Sequence, residues 1–377
     1  MRHQAPARRD LEASRVHDGA DTLGGMVGFV SLMVMGLLVA VGLATVGMAR
    51  RLRRPPRRTY AWAVSKGLPG DPGELDEALA FEDVDLGERY GVEVLRGVRA
   101  WEVEGKKKDG VVVVMTPGWG ESRVNGLVRL PTVARHASRI VMWDPPGLGV
   151  TPGLCGMGTG GDVRRLRAVV ENEKRKAKSE NQEARIVLYG WSMGAGVSVA
   201  CASGWERSQR EKEEVGTEPS PVTQSRDILS QGERERICGV IAESPYREAW
   251  TPAFRVMRLA GLPWRVNGPL VFAWMGLRLM GSVWWRGFDR AELARGVGCL
   301  LMVIHGTADE VCPVEDGRAI AGACEKGEVV EVMGGGHNDL WGTKFAEEVG
   351  GAVERFLMGV NEDIHHRGTE DTEKGMG

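Results

Sequence analysis

Apolar residues in this chain fall into three patterns, and each predicts a different element. The first is an unbroken run from Leu23 to Ala49 without a charged residue. About 20 such residues cross the hydrocarbon of a bilayer, so 23–49 predicts one transmembrane helix behind a short tail, 1–22. The second pattern is a series of short, β-branched runs: 98–103, 111–115, 139–143, 185–189, 239–242, 299–304 and 328–333. Amphipathic segments at 161–178, 193–202, 316–325 and 343–358 lie between them. Continuously apolar strands alternating with helices predict an α/β domain over 80–360, with a mostly parallel central sheet covered on both faces. The third pattern is interruption. Residues 205–236 are polar and charged, which predicts a surface insertion. Residues 246–297 are apolar and rich in tryptophan (Trp264, Trp274, Trp284, Trp285), which predicts a helical cap above the sheet. A basic, Pro/Gly-rich linker is expected over 50–79 and a disordered tail over 361–377.

Charge then orients the chain. The first 22 residues balance four arginines against four acids, whereas residues 50–58 hold six arginines and no acid. Positive flanks stay on the cytoplasmic side, so the domain after the span is expected in the cytoplasm, with the arginines against anionic headgroups. Lys+Arg 49 against Asp+Glu 51 leaves a net charge of −2, which argues against a nucleic-acid-coating protein. The six cysteines, at 155, 201, 238, 299, 312 and 324, contain no C-x-x-C pair and are expected to be free thiols.

Chemistry is expected where parallel strands end. The run 185–189 leads into Gly190-Trp191-Ser192-Met193-Gly194, and a helical pattern follows at once. This is the strand–turn–helix context that a G-x-S-x-G elbow needs to lift a serine above the sheet. A serine hydroxyl needs a base, and the base needs an orienting carboxylate. The run 299–304 leads into His305-Gly306-Thr307-Ala308-Asp309, and 328–333 leads into Gly334-Gly335-Gly336-His337. Ser192, Asp309 and His337 are therefore the candidate nucleophile, acid and base, with Glu310 and Asp316 as lesser acids. The other six histidines lie in the N-terminal segment, the tail, a helical segment or ahead of the acid. The glycine-rich turn 116–123 after the run 111–115 offers backbone amides for a developing oxyanion, and those of Trp119 and Met193 are assigned to it.

Taken together, the motifs at 117–123, 143–149, 190–194, 242–246, 305–309 and 334–339 resemble the α/β-hydrolase superfamily, in particular its serine-aminopeptidase-like and prolyl-oligopeptidase-like bacterial members. Pro117 stands where that family commonly has histidine, and Pro145-Pro146 where it has an arginine-bearing pair. The resemblance implies an α/β-hydrolase fold, Ser192 as nucleophile, Asp309 as acid and His337 as base. The expected reaction is hydrolysis of an ester, thioester or amide through an acyl-enzyme, with no metal or organic cofactor. A tryptophan-rich cap near a membrane favours an apolar acyl substrate. Peptide cleavage, perhydrolysis and a non-catalytic, membrane-tethered binding role stay open.

Overall fold

The computed structural model describes residues 8–180, 184–204, 237–259, 261, 264–278, 289–342 and 344–374. Eight strands form one sheet: β1 (Phe81–Asp85), β2 (Arg99–Glu104), β3 (Val111–Thr116), β4 (Ala137–Trp143), β5 (Ile186–Trp191), β6 (Ile237–Glu243), β7 (Leu300–Gly306) and β8 (Gly327–Val332). Their order is β1-β2-β4-β3-β5-β6-β7-β8. β2 runs antiparallel to both β1 and β4, and every other pairing is parallel.

Side chains of the central strands alternate between two cores. Val114, Val141, Trp143, Ile186 and Leu188 enter one, packed by the helices Gly160–Ser179 and Met193–Ala202. Val113, Met115, Ile140, Met142, Val187 and Tyr189 enter the other, under the helix Ala346–Lys374. Both faces are therefore dry, which is why these strands read as continuous apolar runs. All six cysteines are free.

Four expectations need correction. β1 was not read because only Val84 in it is buried; an edge strand with one packed residue leaves no hydropathy signal. One helix spans Arg8–Arg53, so residues 8–22 of the expected tail are helical and continuous with the apolar run. Residues 8–22 contain no proline, so nothing in them stops the helix. The segment 50–79 is no free linker. It includes the helix Tyr60–Ser65, buries Ala63 and Leu79, and packs with Trp62 and Leu75 on the second core. The last helix reaches Lys374 rather than ending near 360. The polar insertion falls on residues outside the described ones, as do Trp284 and Trp285.

The helix Gly160–Ser179 begins with a buried acid. Asp162 Oδ2 accepts the Gly158 amide at 2.9 Å, while its Oδ1 has no partner. Burial pushes this carboxyl up to about 6. The protonated form is thus favoured by folding, so the contribution of Asp162 to stability is lost as pH rises from about 4 through about 6. Asp162→Asn, which retains an acceptor for Gly158, is expected to flatten the fall in thermal stability over that window, by up to about 3 kcal/mol at pH 8. Thermal melts of both proteins at pH 4, 6 and 8 check this; parallel curves would contradict it.

Candidate active site

Ser192 sits between β5 and the helix Met193–Ala202 with φ 53° and ψ −114°, a conformation that L-residues rarely adopt. The neighbouring glycines make it possible. A Cβ on Gly190 would lie 2.2 Å from the Gly194 carbonyl oxygen, and one on Gly194 would lie 2.0 Å from that of Thr116. The turn is then closed by a bond from the Ser192 amide to the Glu243 carbonyl at the end of β6, 2.8 Å. Ser192 is thereby raised above the carboxyl edge of the sheet.

The loops after β7 and β8 bring the other two candidates to it. His337 Nε2 is 3.0 Å from Ser192 Oγ, and His337 Nδ1 is 2.7 Å from Asp309 Oδ2. The other oxygen of Asp309 accepts the amides of Val311 (2.8 Å) and Cys312 (2.7 Å), which fixes the plane of the carboxylate. Burial opposes the charge on Asp309, but hydrogen bonds from His305, His337 and the Cys312 amide outweigh it and hold the carboxyl well below the usual carboxylate range. An ionised Asp309 keeps the imidazole proton on Nδ1 and leaves Nε2 free to accept a proton from the serine. The lesser acid candidates lie elsewhere: Asp316 accepts the Arg247 amide, and the Glu310 carbonyl faces Arg255. His305 is fully buried behind the acid, with Nε2 3.1 Å from the Cys312 carbonyl.

Asp309, Cys312 and His337 also place one donor atom each within 4.8 Å of one another, spacing that could hold a metal ion. Burial drives the Cys312 thiol well above its ordinary value, so it stays protonated and is a poor ligand. A metal on His337 would also take the nitrogen that faces Ser192 or Asp309.

Trp119 and Met193, the two expected amide donors, line the same cavity of about 480 Å³ as Ser192 and His337. Neither amide donates a hydrogen bond within the described residues. Gly118 allows the approach: a Cβ there would meet the Ser192 Cβ at 3.2 Å. The roof is the helix Trp250–Leu259, through Pro252, Ala253 and Val256. A second cap helix, Trp264–Arg278, braces it in an aromatic cluster of Trp250, Phe254, Trp264 and Phe272.

Two features of this site escaped the sequence. Segment 52–58 straps the turn that carries Trp119. The Trp119 indole donates to the Leu52 carbonyl at 2.8 Å, Arg58 pairs with Glu121 at 3.0 Å, and Ser122 Oγ donates to the Arg58 carbonyl at 2.5 Å. An arginine run after an apolar span reads as headgroup contact, which hides this role. The other feature is a buried ion pair in the cavity wall. Arg129 binds both oxygens of Glu243, which also accepts from Tyr189 (3.0 Å) and Trp341 (2.9 Å). The Arg129 guanidinium lies 4.4 Å over the Trp191 ring. An acid closing an otherwise apolar strand was the available signal for Glu243; Arg129 gave none.

Residues 111–349 match the model of a family described as the alpha/beta hydrolase family. No curated protein matches the sequence. An esterase of Pyrococcus furiosus has a similar fold, with TM-score 0.54 and 17% identity over 81% of this chain and 97% of that one. A monoacylglycerol lipase of Paleococcus ferrophilus gives TM-score 0.45 and 17% identity over 70% of this chain and 99% of that one.

Gly194→Ala is expected to lower stability by about 3 kcal/mol or to prevent folding, because the new methyl meets backbone rather than a movable side chain. Urea unfolding of the variant against the parent protein measures it; an unchanged midpoint would mean the elbow can relax.

Proposed function

The chain belongs to the alpha/beta hydrolase family, and on that footing we propose that it is a membrane-anchored serine hydrolase acting through an acyl-enzyme on Ser192. One observation carries the reading: Ser192, His337 and Asp309 stand in hydrogen-bonded series at 3.0 and 2.7 Å, on a backbone strained at the serine. A serine with an ordinary structural role needs neither the strain nor a histidine whose second nitrogen is committed to a carboxylate.

In the proposed reaction His337 Nε2 takes the Ser192 proton as Oγ attacks the substrate carbonyl. The amides of Trp119 and Met193 hold the oxyanion without reorganisation. His337 then protonates the leaving group, which departs and leaves an ester on Ser192. Water enters, gives its proton to His337 and attacks the ester, and the proton returns to Ser192. Asp309 stays ionised throughout and stabilises the imidazolium that forms twice per cycle.

The cavity supports an apolar acyl group over a peptide. Its cap wall is Ala249, Pro252, Ala253 and Val256, and Leu52 and Met157 continue the apolar surface. A peptide's free amino terminus needs an unpaired acid. The two acids that line the cavity, Glu121 and Glu243, are held by Arg58 and Trp191 and by Arg129, Tyr189 and Trp341. An ester of an apolar acid is therefore the favoured substrate.

The helix segment Met26–Arg53 is long and apolar enough to cross a membrane, with mean hydropathy 2.5; its most apolar 18-residue window is unburied by the described residues, and only its end, at Met48, Ala49 and Leu52, packs on the domain. Its arginine-rich end favours the domain on the cytoplasmic side. Leu52, at that end, is part of the cavity wall, so the pocket opens close to the bilayer surface.

The full chain in detergent is expected to react with a fluorophosphonate and to hydrolyse p-nitrophenyl acyl esters, and Ser192→Ala to lose both by at least about 10³-fold while remaining folded. Labelling that survives in Ser192→Ala would remove the assignment. Trp119→Phe deletes the bond to Leu52 but keeps the ring and the amide; kcat is expected to fall about tenfold with little change in KM. A rise in KM at constant kcat would make Trp119 a binding residue instead.

A further inference from the structure

A second recess lies on the far side of the same helix end. Its volume is about 420 Å³, and Arg50, Arg53 and Arg54 line it opposite Val46, Leu154 and Met275. Among the described residues the arginines have no anionic partner. Arg53 Nε is buried without a hydrogen-bond acceptor, and no carboxylate pairs with Arg50, Arg53 or Arg54 among the described residues. Burying part of a guanidinium without an anion is costly, and a recess that does so is completed by one.

The surroundings narrow the anion. The three arginines close the long apolar helix, so on the membrane-spanning reading above they lie at headgroup depth. Trp274, on the second cap helix, adds an indole at the same recess, a residue type that prefers the boundary between hydrocarbon and water. Five of the eight lining residues are apolar, a surface that a free inorganic anion would not use. Arg53 is also held in place, since the Cys155 amide donates to its carbonyl at 2.9 Å. We propose that this recess binds one anionic phospholipid, with the phosphate on Arg50, Arg53 and Arg54 and the start of an acyl chain along Val46, Leu154 and Met275. Planar guanidinium groups match phosphate oxygens two at a time, which favours arginine over lysine for such a site. The bound lipid would be structural rather than a substrate, because Ser192 faces the other cavity.

The test places the full chain in phosphatidylcholine nanodiscs containing a minority of phosphatidylglycerol and counts retained lipid by native mass spectrometry. One phosphatidylglycerol per chain is expected to persist. Arg53→Gln should lower its retention about tenfold, and Arg54→Gln, at an exposed position, about threefold. Arg51→Gln removes the same charge beside the recess without lining it and should change retention less than twofold. Equal losses in the Arg51 and Arg53 variants would mean general attraction to a charged surface and would overturn the site. Displacement of the lipid by millimolar inorganic phosphate, with full retention of phosphate by the protein, would overturn the lipid in favour of a free ion. The proposal rests on the membrane reading, which flotation of the chain with the discs tests separately; a chain that fails to float would end both.

Discussion

Everything in the candidate site depends on one backbone constraint, the reversal at Ser192. The chain must leave a buried strand, turn within one residue at positive φ, and enter a helix packed against the same sheet. Only missing side chains permit it, since β carbons at 190 and 194 would overlap carbonyl oxygens of the turn and of β3. The sheet supplies the rest of the frame. Parallel pairing from β3 to β8 sends every loop that matters to one edge, and the Glu243 carbonyl at the neighbouring strand's end receives the Ser192 amide. Asp309 and His337 meet the serine because β7 and β8 are neighbours, whose loops carry an acid and a base side by side.

The end of the long N-terminal helix is part of this architecture rather than an appendage to it. Met48, Ala49 and Leu52 are buried in a cluster with Met193, Met157 and Tyr246 from the sheet edge, and Phe254, Met257 and Val271 from the cap. The helix end, the proposed oxyanion turn and the roof therefore share one small core. A shift of the helix relative to the sheet would be felt at Trp119 first, through its bond to Leu52. The domain that the hydropathy pattern delimits at residue 80 is smaller than the unit that folds around the site.

What the sequence made legible follows from the range over which each signal acts. Strands dry on both faces announce themselves as apolar runs; β8, an edge with only Val332 buried, was readable from its run of valines, whereas β1 has a single valine among acids and gave no signal. The Ser192 elbow, Asp309 and His337 were readable because each is marked locally, by glycines or by the end of an apolar run. Arg129 and Glu243 are far apart in the chain and meet only through the fold, so no local pattern couples them. The strap at 52–58 failed for a different reason. Its arginines have an obvious local explanation in the charge rule for membrane flanks, and a residue that satisfies one rule conceals a second role.

The ion pair beneath the pocket also bears on how this site could change over evolutionary time. Arg129 and Glu243 are both nearly excluded from solvent and share their contacts with Tyr189, Trp191 and Trp341. Loss of either charge alone would strand the other, at a cost of about 3–5 kcal/mol, a large part of a domain's margin. Any route to a differently shaped floor must therefore replace both residues together or first gain stability elsewhere. No charge pair among the described residues couples Pro252, Ala253 and Val256 in the cap. New specificities in descendants of this protein should accordingly arise in the roof, over a floor that drifts little.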